Sequence, residues 1–308
     1  MVVSVSPYLL LGVYSFLIAA VSLAAAGATQ RLRLSHTHIQ LIMSAVAGLM
    51  LGVACYHLLP HSIASFSDRT NPVDSAVWWL VLGLVTMLLL LRLFHFHQHD
   101  FSGFDGVDND HAKSDCTAHD HPQQRHAPRV SKTSGFGLVF GMSVHAVVDG
   151  LALAAAVFGA THSEGGLLGL GVFLAVFLHK PLDAMSVSAM LMAAHVSKSV
   201  RVRTNLVFAL MCPLGVLLFL SGVSVSSDAS HAWVGIMLAF AAGSFICIAL
   251  SDLLPEVHFH SHDRTKLTLV FVLGLALAYS MGQFEPEGAH SMHSTPQNSA
   301  QDIGTRHD

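Results

Sequence analysis

Two short stretches of this 308-residue chain place an imidazole and a carboxylate four residues apart. In SVHAVVDGLALAAA, His145 is followed by Asp149; in FLAVFLHKPLDAMSVSAML, His179 is followed by Asp183. Residues at i and i+4 share one face of a helix, so each stretch presents a nitrogen and an oxygen donor side by side. That pair of donors suits zinc and its neighbours, and two such helices facing each other would supply four ligands. The plainer reading is that each pair is a structural hydrogen bond within its own helix. Identical spacing on two adjacent helices favours the metal.

The elements that carry these residues are apolar. The chain is 53% hydrophobic and 11% charged, against roughly 25% charged in soluble domains, so a bilayer is its natural solvent. Segments of about 20 apolar residues, enough for a hydrocarbon core of roughly 30 Å, fall near 7–28, 38–60, 76–94, 135–158, 166–193, 204–225, 232–255 and 266–284. The expectation is an all-α integral membrane protein of about eight transmembrane helices. Met1 to Leu10 holds no Lys or Arg, and the first apolar run is longer than a signal-peptide core, so the first span reads as a retained helix. His145, Asp149, His179 and Asp183 then lie in spans four and five. A charge at bilayer depth costs at least roughly 2.5–3.5 kcal/mol on insertion scales, which makes each a functional candidate.

Loop charges set the orientation. Twelve Lys and Arg (Arg31, Arg33, Arg92, Lys113, Arg125, Arg129, Lys132, Lys198, Arg201, Arg203, Arg264, Lys266) follow spans one, three, five and seven, against Arg69 and Arg306 on the other face. The positive-inside rule places both termini outside the cytoplasm. The connection 95–134 is polar, aperiodic and rich in histidine, and is expected to be a disordered cytoplasmic loop that either holds arriving metal weakly or is a solvated linker. Residues 285–308 read as a polar tail whose His290, His293 and His307 are solvated, so the chain is one transmembrane domain, 1–308, with two polar appendages.

The histidines number 22, more than the 15 Lys and Arg together, an excess that calls for a metal or proton role, or else is compositional filler. No basic cluster is present to meet a run of phosphates, which excludes nucleic acid as a partner. Cys55, Cys212 and Cys247 lie in apolar segments and Cys116 in a polar one, with no Cys-x-x-Cys framework.

An internal repeat frames spans four and five. At an offset of 195 residues, GLMLGVACYHLLPHS in span two superimposes Gly48 on Gly243, Leu58-Leu59-Pro60 on Leu253-Leu254-Pro255, His57 on Asp252 and His61 on Glu256. Copies five spans apart must run in opposite directions, the pattern of an inverted repeat of helices 1–3 and 6–8 around helices 4–5. Pro181, between the two span-five candidates, removes a backbone donor and is expected to break the helix and free carbonyls there.

At these residues the chain resembles the ZIP (Zrt-, Irt-like protein) metal transporters. His145-Ala-Val-Val-Asp149-Gly150 resembles the family's His-Asn-x-x-Asp/Glu-Gly in the fourth helix, and His179-Lys-Pro-Leu-Asp183 its His-Glu-x-Pro-x-Glu/His type of motif in the fifth. The motifs ending in His57-Leu-Leu-Pro-His61 and in Asp252-Leu-Leu-Pro-Glu256 resemble its second and seventh helices. Span count, outer termini and a histidine-rich loop agree, so the resemblance covers nearly the whole chain.

The chain departs from the family at two positions. The resemblance implies a two-metal site whose second ion uses the residues after each histidine; here these are Ala146 and Lys180. Alanine cannot coordinate, and a lysine ammonium brings its own positive charge. The expectation is one central metal on His145, Asp149, His179 and Asp183, with Lys180 where the second cation would be. With both aspartates ionised and the lysine charged, the empty site carries one net negative charge and the loaded site one positive. Alternatively, Lys180 is simply paired with Asp183, three residues on.

Orientation orders the rest as a path. His57 and His61 end span two at the outer side; Asp252 and Glu256 end span seven at the cytoplasmic side, followed by His258, His260 and His262. Entry, central site and exit is the order expected, although His57 and His61 read equally as interfacial residues. Met185, Met190 and Met192 read as packing or lipid-facing. The expected function is transport of divalent transition-metal ions, zinc first and Fe²⁺, Mn²⁺ or Cd²⁺ besides. Zinc is then the transported substrate and the protein needs no cofactor. Import into the cytoplasm is what the resemblance implies. The rival readings are a metal sensor without transport and an intramembrane zinc hydrolase; the latter lacks His-Glu-x-x-His. The partners expected are divalent ions and the lipid bilayer, a homodimer is compatible, and the membrane expected is a bacterial inner membrane.

Overall fold

The computed structural model describes residues 6–29, 36–93, 132–159, 169–224, 230–259 and 264–282, with some side chains at helix ends left out, among them those of 252–259. The expected loop 95–134 falls almost wholly outside these residues, and the tail 285–308 entirely so.

Every described element is helical. In order they are α1 (Pro7–Ala28), α2 (His36–Val53), α3 (Leu59–Ser65), α4 (Pro72–Leu93), α5 (Lys132–Gly159), α6 (Leu170–Ala193), α7 (Lys198–Ser224), α8 (Ser230–Phe259) and α9 (Arg264–Gly282). A π-helical turn at Ala54–Leu58 joins α2 to α3 in one rod, which is span two. Seven helices are long and apolar enough to cross a bilayer, and the eighth, within α9, is the shorter apolar stretch Thr265–Met281. At 1.5 Å per residue, the 19 residues of α9 extend about 28 Å, just under the usual hydrocarbon thickness. The protein is thus an integral, multi-pass, all-α membrane protein.

Large apolar side chains face outward along its flanks, for instance Trp78 and Val77 on α4, Leu217 on α7 and Leu269 and Leu273 on α9. In water such a surface would drive aggregation; against lipid tails it costs nothing, and small residues, not large ones, bring the helices together. A Cβ on Gly48 would run into the Phe271 carbonyl and one on Gly274 into that of Ala45, so α2 and α9 touch backbone to backbone. Gly83 and Gly243 do the same for α4 and α8, against the carbonyls of Phe240 and Leu80. Gly150 and Gly215 do it for α5 and α7, against those of Cys212 and Val147.

These crossings have the exchange symmetry an inverted repeat requires. Gly48, in span two, packs on span eight; Gly243, its match in span seven, packs on span three. The contacts of α5 with α7 and of α6 with α1 likewise exchange span four with span five and span six with span one. α5 and α6, which carry the candidate ligands, pack against each other and against partners in both repeats, α5 on α8 and α6 on α2.

Candidate metal centre

α5 and α6 bring His145, Asp149, His179 and Asp183 into one group at mid-length of both helices, with one ligand atom from each within 4.8 Å of all the others. Asp149 is fully buried and His145 and His179 are 2% and 4% exposed. His145 Nε2 lies 3.5 Å from both Asp149 Oδ2 and Asp183 Oδ2; His179 Nε2 lies 3.3 Å from the first and 3.8 Å from the second. A tetrahedral ion with bonds of about 2.0–2.2 Å needs ligand atoms about 3.3–3.6 Å apart. Four of the six edges are therefore close to that size before any ion is placed.

Hydrogen bonding sharpens the chemistry. His179 Nδ1 is 2.8 Å from the carbonyl of Ala175, one turn back on α6. A carbonyl only accepts, so Nδ1 carries the hydrogen and donates it. In the neutral ring that leaves a lone pair on Nε2, aimed at two carboxylate oxygens. Such a ring needs a cation between it and the carboxylates, either a proton, for which the 3.3 Å approach to Asp149 Oδ2 is already of hydrogen-bond length, or a metal ion. A donor from the far ring nitrogen to a backbone carbonyl is also the usual way a metal-binding histidine is oriented. On α5, neither ring nitrogen of His145 has a hydrogen-bond partner, nor do Asp149 Oδ1 and Asp183 Oδ2. Buried polar atoms left this way are costly unless something else satisfies them.

Lys180 completes the cluster. Its ammonium is 2.5 Å from Asp149 Oδ2 and 3.5 Å from Asp183 Oδ2, and its side chain is 1% exposed. The local pairing with Asp183 is thus present but is the longer contact; the closer partner comes from α5. On its other side Nζ sits over the Phe208 ring of α7, 5.4 Å from the centroid. Sequence reasoning had not singled out Phe208, because nothing in α7 marks which of its residues meets span five. Ala146, the other departure from the family pattern, is fully buried in an apolar cluster with Met142, Ala184, Val187 and Phe208. Met185 and Met190 pack against the same cluster.

Pro181 does not break its helix. α6 runs unbroken from Leu170 to Ala193 with the proline inside, as membrane helices tolerate where neighbouring groups take up the freed backbone. The irregular turn is instead the π-turn of span two, which contains His57. His57 is 3% exposed, bonds the Ala278 carbonyl at 2.8 Å and packs against Gly171. His61 Nδ1 lies 2.7 Å from the His57 carbonyl, so the half-buried ring donates one turn back along its own rod. Neither belongs to the group of four, which is the one such group among the described residues. Asp252 and Glu256 lie on α8, but their side chains fall outside the described residues, as do His258, His260 and His262.

The chain is also similar in sequence to known proteins. Residues 2–282 match the family described as ZIP Zinc transporter. The chain is 34% identical over 210 residues to zinc transporter ZIP9-B of Xenopus laevis, an alignment covering 66% of this chain and 60% of that protein. It is 24% identical over 256 residues to human zinc transporter ZIP1, covering 78% and 76%. To zinc transporter YKE4 of Saccharomyces cerevisiae it is 25% identical over 244 residues, covering 74% and 64%. The chain thus spans about 60% of the length of the ZIP9-B it matches. With nearly its whole length matched, and with its apolar helices gathered around a buried His/Asp cluster, the chain belongs to the ZIP zinc transporter family.

Proposed function

We propose that this protein carries divalent transition-metal ions, zinc first, across its membrane into the cytoplasm through one central site formed by His145, Asp149, His179 and Asp183. The observation that carries the reading is the convergence of His145 Nε2 and His179 Nε2 on two buried carboxylates, at distances one ion would bridge. Zinc is substrate and not cofactor. Import is supported by the family resemblance alone, and termini outside the cytoplasm by the twelve-to-two bias of loop charges.

Lys180 makes the site a one-ion site. An ammonium on Asp149 and Asp183 already supplies half the charge a second divalent cation would bring. Two unit charges about 4 Å apart repel by about 4 kcal/mol at an effective dielectric constant of 20, and a divalent ion doubles that. The empty site, with two carboxylates and one ammonium, attracts an ion; the loaded site carries one net positive charge and does not hold it irreversibly. Entry past His57 and His61 and exit past Asp252 and Glu256, assembly as a homodimer, and residence in a bacterial inner membrane complete the reading.

The test is zinc uptake into proteoliposomes of purified protein, wild type against His179→Ala and Lys180→Ala. Flux lost in the first and altered but present in the second is the expected result. Wild-type protein that binds zinc but moves none would be a sensor, and the transport reading would be abandoned.

A further inference from the structure

The metal site and Lys180 compete for one atom. Asp149 Oδ2 is the oxygen that both histidine Nε2 atoms approach and the oxygen on which the ammonium rests. An ion bound there would sit within a few ångströms of a like charge, so Lys180 must withdraw as the ion enters. It cannot withdraw to water, because its side chain is buried along its length.

The structure offers it another seat. α5 and α7 cross backbone to backbone at Gly150, whose missing side chain lets the Cys212 carbonyl approach directly beside Asp149. That contact fixes the register of α7, and one turn earlier on the same face Phe208 presents its buried ring to the Lys180 ammonium. The face of an aromatic ring attracts a cation, most strongly where water is excluded. We propose that Phe208 is the alternate seat of the Lys180 ammonium: when a divalent ion takes Asp149, the lysine head moves onto the ring face, and when the ion leaves, it returns to the carboxylate. Phe208 is then a positioning residue that acts on the ion through Lys180, and it sets how readily the site fills. This inference rests on the reading of the four residues as the metal site.

The experiment is zinc binding by calorimetry on the purified full chain, with His179→Ala as the control for the site itself. Phe208→Leu keeps an apolar side chain and removes the ring face; Phe208→Tyr keeps the face. Weakening of zinc binding by about 3- to 10-fold in Phe208→Leu and by less than about twofold in Phe208→Tyr is expected from the strength of desolvated cation–π contacts. With Lys180→Met as background, Phe208→Leu should change the affinity by less than about twofold. An equal loss in both backgrounds would mean that Phe208 only packs, and no loss in either would mean that the ring does not matter; each overturns the proposal. Wild-type zinc binding that survives His179→Ala unchanged would overturn the metal-site reading instead, and the inference with it.

Discussion

The ammonium of Lys180 lies nearer to Asp149 on the neighbouring helix, at 2.5 Å, than to Asp183 one turn along its own, at 3.5 Å. Among the described residues the closest ion pair therefore ties α5 to α6 and does not close within one helix, so under the proposed function stability and transport depend on the same carboxylate.

Asp149→Ala should consequently do two kinds of damage. It removes a metal ligand and leaves a buried lysine short of its closest partner, and breaking a buried pair from one side costs about 3–5 kcal/mol. Thermal unfolding of the detergent-solubilised protein should shift down by several degrees. Adding Lys180→Met to it should restore most of the unfolding temperature and none of the zinc flux. A double variant no more stable than Asp149→Ala would show that the pairing is not what holds α5 to α6.

His145 should separate binding from folding. Neither of its ring nitrogens makes a hydrogen bond and its two carboxylate contacts are long, at 3.5 Å, so the fold gains little from its polarity, whereas an orphaned buried polar group costs about 1–3 kcal/mol. His145→Leu is expected to keep or raise the unfolding temperature while weakening zinc binding by at least about 100-fold, beyond the 10- to 100-fold typical of losing a supporting partner. Calorimetric titration beside a melting curve reads both quantities.

The number of ions bound should follow the two departures from the family pattern. Wild-type protein should bind one zinc centrally. The pair Ala146→Asn with Lys180→Glu exchanges a methyl and an ammonium for two oxygen ligands, and metal analysis after equilibrium dialysis should rise from one ion per chain towards two. A stoichiometry fixed at one would show that Lys180 is not what closes the second position.

Close packing of α5 on α7 gives a prediction with an internal control. A Cβ on Gly150 meets the Cys212 carbonyl and nearby backbone, whereas Gly12 has nothing within 4 Å of its added Cβ. Gly150→Ala should destabilise by about 1–3 kcal/mol, the usual cost of overpacking, and Gly12→Ala should be neutral or slightly stabilising in thermal unfolding.

The parts of this protein visible in its sequence are those that depend on one helix at a time. Apolar length located the spans to within a few residues, and i, i+4 spacing paired His145 with Asp149 and His179 with Asp183 because a helix repeats its face on that interval. What depended on how two helices meet was not visible. The nearest carboxylate to Lys180 by spacing was Asp183; the packing of α5 on α6 brings Asp149 closer, and the crossing of α5 with α7 at Gly150 and Gly215 accompanies the approach of Phe208. Pro181 was expected to break its helix, yet α6 absorbs it, and the departure from regular winding appears in span two. Proline marks a missing donor, but whether a helix bends or bulges there depends on the neighbours it packs against.

The π-turn at Ala54–Leu58 works as a phase shift. Ahead of it, Gly48 and Gly52 face Phe271 and Ala278 on α9; beyond it, Ser62 donates to the Gly235 carbonyl of α8 at 2.8 Å and Phe66 packs on the same glycine. A single unbroken α-helix keeps one stripe of residues in phase, and one residue more or fewer rotates everything downstream by about 100°. α8 is already a neighbour of α2 ahead of the turn, so the inserted residue sets which face of the rod's outer end continues that contact, and deleting any one residue of that turn would swing Ser62 and Phe66 away from α8 while leaving composition, length and hydropathy almost unchanged.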